Sequence, residues 1–506
     1  MTRLWSIIGK SYSIRPFSMI HRHRTLLFFL FVAAFFITAS SVLFYAYGYR
    51  FSFERGIFIY TGSLSLKTNI ETVSIKIDNI AIPEKKLGLL NNSIHIAGLV
   101  PGEHFVEVSA PGYKPWGKKI VIQSGLTTEF WNIALAQENY TWTPTPFTDG
   151  VIKMFPAPNG LFATVKQTDN RYSVHILDVG KEEDEEVFVT NDAIFQPALE
   201  TNVEWAPESH KIIIPLSHDS RPIYAIVDIR TKETIYLNEA ANIERSLQAP
   251  RWDATARDFL FFLEGNSLYR LNTRSIDPPT LVAQNVAAYD LSGNRLLYLG
   301  NDGIVYEMNG DGQDETPEKV TSEPLSIDGS SPYSLIVYDT DRLSVMEEKT
   351  GTLFVYNEQV SDTFRELGTS VESIQYSDDG KKLLFFTGNE ISVYFNQDWE
   401  AQPFRAEDSI VQVGRFSAPI RNVQWAEDYE HVIFSLGKNV KMIELDNRDR
   451  RDISDLLVLD AAPLQLLSRF GTDTLYVVNA SPSDALSGNS VFNITLPQFA
   501  SLFGLL

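Results

Sequence analysis

The chain has no cysteine, and that one absence removes disulfides, thiolate nucleophiles and cysteine-ligated zinc sites together. Histidine is scarce, with eight in 506 residues: His21, His23, His95, His104, His175, His210, His218 and His431. They fall singly, without the helical pair of a zinc protease, and no nucleophile elbow or phosphate-cradling glycine loop accompanies them. Positive charge is the third shortage. The net charge is -21, yet the first 25 residues hold Arg3, Lys10, Arg15, Arg22 and Arg24 and no acid, so the remainder carries -26. A surface this acidic repels a phosphate backbone, which excludes DNA and RNA as expected partners.

What is present begins with a greasy run. From Leu26 to Tyr47, 22 residues carry no charge, enough at 1.5 Å rise to cross a hydrocarbon layer about 30 Å thick. Thirteen of them are Leu, Ile, Val or Phe, worth together about 4 to 8 kcal/mol toward insertion. Leu26, Phe29, Phe36 and Phe44 mark the span, and Tyr45, Tyr47 and Tyr49 form an aromatic belt at its far end. The five basic residues ahead of it, against Arg50 and Arg55 behind, orient the amino end to the cytoplasm. The expected layout is a basic cytoplasmic tail over residues 1–25, a transmembrane helix over 26–48, and everything later outside the cell membrane, with the lipid bilayer as first partner. A cleaved signal peptide, cut near Ala39 and Ser41, is the alternative; a buried core helix fits less well, because the run is apolar all round.

The 12% of aromatic residues, 21 Tyr and 32 Phe among them, points to an all-β fold beyond the helix. Residues 56–136 contain short alternating runs such as SLSLKTN, TVSIKIDNIAI and HFVEVSA, broken by Asp78-Asn79 and Pro101-Gly102, the pattern of a compact antiparallel sandwich. Leu99, Val100, Pro101, Gly102, Glu103 and His104, followed by Pro111, Gly112, Tyr113, Lys114, Pro115 and Trp116, resemble the signature of the PEGA domain. The tetrad that gives that family its name stands here as Ile70, Glu71, Thr72 and Val73, keeping only the acid. The resemblance implies an extracytoplasmic accessory module without catalysis. Turn geometry for the glycines and core filling for the aromatics are the favoured explanation of Pro101, Gly102, Gly112, Tyr113 and Trp116.

From residue 140 to 506 a segment recurs in which Trp or Tyr precedes a polar turn and a solidly apolar strand. Clear copies are VEWAPESHKIIIPL, PRWDATARDFLFFL, AYDLSGNRLLYLG, IQYSDDGKKLLFF and VQWAEDYEHVIFSL, marked by Trp205, Trp252, Tyr289, Tyr376 and Trp425. Weaker copies begin at Ile152, Ser331 and Gln465. The markers lie 47, 37, 87 and 49 residues apart, the longest interval holding two units, and a period of about 45 is that of propeller blades. Eight blades are expected over seven. The runs Ile212 to Ile214, Phe259 to Leu263 and Leu383 to Phe386 suit inner blade strands buried on both faces. YTWTPTPF, ahead of the first copy, suits the strand that closes the ring against NSVFNITLP. The copies resemble the repeats of Tol-type and WD-repeat propellers, most plainly in YSDDGKKLLFF.

Acid runs such as residues 181–186 and Asp378-Asp379 sit at turns, where solvated charge is ordinary. NGDGQDE, 309–315, lacks the closing glutamate of a calcium loop, because Val320 stands in its place. No catalytic residue, cofactor or metal ligand is expected. The favoured function is an envelope-anchored binding or scaffold protein that recognises protein or glycan through the propeller, with oligomeric state open. The alternative is a propeller enzyme cleaving glycans or peptides with axial carboxylates. An outward sensor is weakened by the short cytoplasmic tail.

Overall fold

A computed structural model describes residues 21–52, 56–83, 93–169, 171–242, 247–275, 277–311, 316–469, 471–480 and 488–497. Residues 1–20, most of NGDGQDE and the apolar tail 499–506 lie outside them. The described chain groups into two compact units, one of residues 1–65, 95–104 and 121–129, the other of 66–94, 105–120 and 130–506.

In the first unit the uncharged run forms a single helix, His21–Ala46. From His23 to Ala46 it is long and apolar enough to cross a membrane, and no part of that stretch is buried. Leu26, Phe29, Phe36 and Phe44 are each at least half exposed. Gly48 ends the helix at φ +88°, a left-handed conformation that costs other residues more. A two-stranded hairpin follows, Tyr49–Ser52 against Ile57–Tyr60, with Tyr49 opposite Tyr60 and Ser52 opposite Ile57.

Seven strands occupy the stretch from Gly62 to Ile133. Gly62–Thr68 lies between Ser93–Leu99 and Thr127–Ile133 in one sheet, while Ser74–Ile77 and Gly102–Ser109 sit inside Ile80–Ala81 and Trp116–Ile122 in another. Period-two alternation explains which side chains turn inward: Ile75 and Ile77, or Val106 and Val108, are buried while Ser74 is exposed and Lys76 half-buried.

The rest of the second unit is a succession of antiparallel sheets spanning 151–190, 194–236, 247–284, 286–319, 333–368, 371–415, 420–458 and 465–495. The strands follow chain order except in the second sheet, where Ile194–Phe195 and Glu204–Trp205 both pair with Lys211–His218, and the last sheet takes Thr143–Pro144 as its outer strand, paired to Asn493 and Phe492 as YTWTPTPF suggested. A hydrophobic core lies between every consecutive pair. Trp252, Leu260 and Phe262 of the third sheet, for example, pack on Ile213, Tyr224 and Ile226 of the second. The series closes on itself, because Tyr476, Val478 and Val491 of the eighth sheet share a core with Val151, Met154 and Phe162 of the first. A circle of sheets, each completing its core against both neighbours, is a β-propeller arrangement.

One expectation is corrected. Of the apolar runs, Ile212–Ile214, Leu260–Leu263 and Leu383–Phe385 are buried on both faces, with Phe259 and Phe386 half-buried at the ends, but all three belong to the strands next to the first, Lys211–His218, Phe259–Glu264 and Lys382–Thr387. The first strands, which carry the Trp and Tyr markers, are the ones that meet from sheet to sheet at the inside of the circle. A second strand is flanked within its own sheet and covered by both neighbouring sheets, so it is the most apolar; the first strand borders the axis and keeps polar side chains.

Gln465 closes the circle with two hydrogen bonds, its Oε1 accepting from Met154 N at 2.8 Å and its Nε2 donating to Met154 O at 3.0 Å. Gln465→Leu strands both groups of fully buried Met154, so urea unfolding is expected to show a loss of about 1 to 3 kcal/mol. A change below about 0.3 kcal/mol, within the scatter of surface substitutions, would deny this link a role in closure.

Candidate binding site

The marker aromatics are spread one to a sheet and do not gather at a common point. Each ends or lies within a first strand, and two of them lock the circle. Trp252 donates its backbone N–H to Glu204 Oε2 at 3.3 Å and its indole Nε1–H to Glu204 O at 3.2 Å. Trp425 repeats this on Gln375, with both distances 3.0 Å. Tyr289 donates to Ala249 O at 2.5 Å, and Tyr376 Oη lies 2.8 Å from Ser344 Oγ. The Trp205 indole N–H finds no acceptor among the described residues.

The partners of these aromatics were not singled out from the sequence. Asp290 accepts from Val337 N at 2.9 Å and Gln424 from Ser468 N at 2.8 Å, so an acid or amide on one first strand repeatedly holds the backbone of the next. A signal was present: the repeats read V-E-W, I-Q-Y, V-Q-W and A-Y-D, with an acceptor beside each aromatic. Arg251 adds a charge here, its Nη1 donating to Asn202 Oδ1 at 3.2 Å. Burial lifts the Glu204 carboxyl to about 7 despite the nearby Arg251 charge, and burial likewise raises Asp290.

A second polar system lies on the turns that follow the first strands, over the sixth and seventh sheets. Lys382 is buried, donates to Tyr429 O at 2.8 Å, pairs with Glu430, and rests 3.8 Å from the centre of the Trp399 ring. His431 Nδ1 meets Asp428 Oδ2 at 2.6 Å. Burial opposes charge on both partners, but their mutual attraction prevails, holding Asp428 below and His431 above its ordinary value. Lys118, fully buried, pairs with Glu444 and donates to Asp446 O at 2.9 Å; Trp116 Nε1 reaches Glu444 Oε2 at 3.3 Å, and burial raises the Glu444 carboxyl. Trp116 also packs edge-on to Phe130 at 5.2 Å.

Beside this network opens a polar concavity of about 620 Å³, with Trp399 half-buried in its wall and Gln359, Lys381, Gln397 and Glu407 around it. A comparable one of about 390 Å³ lies over the second and third sheets, where Lys211 pairs with Asp258 at 2.5 Å beside Trp252 and Arg257. Amides, charges of both signs and an indole edge suit a polar ligand such as a peptide or sugar. Among the described residues no group of three or more His, Asp or Glu is placed to hold a metal ion.

The residues singled out between Pro101 and Trp116 divide between two roles. Pro101 is half-buried in the turn before Gly102–Ser109, Gly102 has φ +148° and Gly112 φ +81°, and Tyr113 bridges to Gln137. These are turn roles, whereas Trp116 is a buried core residue with a polar partner.

No protein-family model matches the sequence, and no curated protein is significantly similar to it. Among solved structures, the computationally designed Ika8 protein aligns over 70% of this chain and 98% of its own at 9% identity and a TM-score of 0.41. Sqt1 of Saccharomyces cerevisiae aligns over 71% and 99% at 12% identity and a TM-score of 0.42. BamB from Moraxella catarrhalis aligns over 70% and 97% at 11% identity and a TM-score of 0.40.

Two outcomes are expected. The folded Glu204 carboxyl keeps its proton up to about 7, while the unfolded one loses it near 4.5, so its contribution to stability is present at low pH and lost as pH rises through that window. Glu204→Gln, which copies Gln375 in the sixth sheet, should leave stability at pH 4.5 unchanged and raise it by about 1 to 3 kcal/mol at pH 8; equal or lower stability at pH 8 contradicts the assignment. Lys118→Met leaves the Glu444 carboxyl buried without its cation and should cost about 3 to 5 kcal/mol in urea unfolding, most of it restored by adding Glu444→Gln. A double variant no better than the single one would show that the pair is not coupled.

Proposed function

We propose that the chain is a membrane-anchored binding or scaffold protein of the cell envelope. Its basic N-terminal segment lies in the cytoplasm and its sheets lie outside. The observation that carries this reading is the helix His21–Ala46, whose apolar stretch is wholly unburied. A helix apolar all round that the described residues leave unburied, touched only at its end by the hairpin that follows, is matched by lipid, and the charge bias around it sets the orientation.

In this reading the eight sheets are the blades of an eight-bladed propeller, and the seven strands between Gly62 and Ile133 are a PEGA-like sandwich serving as spacer. The span, the sandwich and the propeller are then the three domains after the tail. The protein or glycan partner binds the polar concavity beside Trp399, where an aromatic edge and unspent amides face solvent. Recognition without turnover is supported by the use made of the inner carboxylates: Glu204 and Asp290 each accept a backbone N–H of the next sheet.

One observation favours the enzyme alternative. Glu204 titrates at about 7 close to the charges of Arg251 and Asp290, a setting that can serve general acid catalysis. Turnover of a glycan or peptide that vanishes in Glu204→Gln would move that reading ahead.

The anchoring reading is tested in a chain that has no cysteine of its own. The protein should remain with membranes through extraction at pH 11, and Lys181→Cys, exposed in a turn of the first sheet, should react with an impermeant maleimide on intact cells. Release at pH 11, or labelling only after lysis, contradicts it.

A further inference from the structure

The hairpin Tyr49–Ser52 with Ile57–Tyr60 is a two-stranded sheet with no third strand among the described residues. Such a ribbon is marginal in water unless an apolar face packs on something. Its register nevertheless places Phe51, 44% exposed, Phe58, 60%, and Tyr60, 41%, together on one face, with Ile57, 55% exposed, on the other beside Arg50. Neighbouring strand residues point to opposite sides, so the exposed apolar surface is concentrated on the aromatic face of the ribbon.

This surface continues the helix without a break. Ala46 ends the helix and Tyr49 begins the hairpin. Thr61 donates to Gly48 O through its backbone N at 3.0 Å and its Oγ1 at 2.6 Å. Arg50 donates to Tyr45 O, a terminal carbonyl of the helix, at 2.9 Å and lies 3.5 Å over the Tyr45 ring. Phe44 meets Tyr49 edge-on at 5.5 Å and stacks on Phe58 at 5.9 Å, and Tyr49 stacks on Tyr60 at 5.0 Å. The hairpin therefore has little freedom relative to the last helical turn, and an aromatic girdle of Tyr45, Tyr47, Tyr49 and Tyr60 sits at the junction.

We propose that this hairpin is a second membrane contact, seated in the headgroup and upper acyl region of the outer leaflet and held there by the helix to which it is locked. The inference rests on the spanning reading, because a helix elsewhere than in lipid would carry the hairpin away from it. The bilayer is the occupant the observations select, for two reasons. Aromatic rings with polar tips, in a segment that also carries Arg50 and Arg55, are the composition of the membrane interface. That surface is also continuous with the apolar helix. A hairpin seated there removes the cost of wetting Phe51, Ile57 and Phe58 and limits the swing of the chain about the helix end.

The test uses the full chain in phosphatidylcholine–phosphatidylglycerol vesicles, with one nitroxide on Phe58→Cys, on Phe36→Cys within the helix, or on Lys181→Cys in water. Collision with oxygen, which concentrates in lipid, is compared with collision with a water-soluble nickel chelate. The expected result is an oxygen-to-nickel ratio at 58 intermediate between 36 and 181, at least threefold above the value at 181. A label at 58 as wet as that at 181, with 36 deep in lipid, overturns the hairpin inference and leaves the span standing. A label at 58 shielded from both reagents means that protein covers the hairpin, a second copy included, and also overturns it. If 36 is as wet as 181, the spanning reading falls and takes the inference with it.

Discussion

No sheet of the circle can bury its apolar faces alone. Each completes one core against the sheet before it and another against the sheet after it, and the eighth completes the first. The second strands are consequently the most apolar segments of the chain, and the polar side chains that remain are forced either toward the axis or into the turns. That division explains why the useful chemistry lies on two surfaces, the inner strands and the turns above them.

The acceptor beside the aromatic is what fixes the sheets in register with one another. Burial alone is non-directional, whereas the bonds from Trp252 to Glu204 and from Trp425 to Gln375 specify one offset between neighbours. Glutamine serves this purpose without titrating. Glutamate in the same position must hold its proton to avoid a buried charge, which is the physical reason that Glu204 is displaced to about 7. The buried pairs over the turns, Lys211 with Asp258 and Lys382 with Glu430, repeat the same device with charge. The lysine opens a second strand and reaches the turn just before the next one.

Much of the fold was legible because its periods are strong. The charge-free run is one helix, the Trp and Tyr markers fall in first strands, and the closing strand near Thr143 follows from YTWTPTPF. The order of strands within a sheet was not legible, because a run such as Phe259–Leu263 looks the same whether it is first or second; its neighbours decide. Of the candidate site, the aromatics were visible and their acceptors were not. Glu204, Gln375 and Asp290 have value only through a bond to a strand some 47 to 50 residues away. Lys118 and Glu444 meet across 326 positions of sequence, and no local pattern announces such a pair.

The claim that the sheets stabilise one another around a closed circle is tested most directly by native-state hydrogen exchange on the intact chain at rising urea. The account predicts that peptides covering Phe162–Thr168, Phe259–Glu264 and Thr474–Asn479 merge into a single opening reaction with one free energy and one urea dependence. Exchange of the first or the eighth sheet through a separate, lower-energy opening, with the middle sheets still protected, would contradict it.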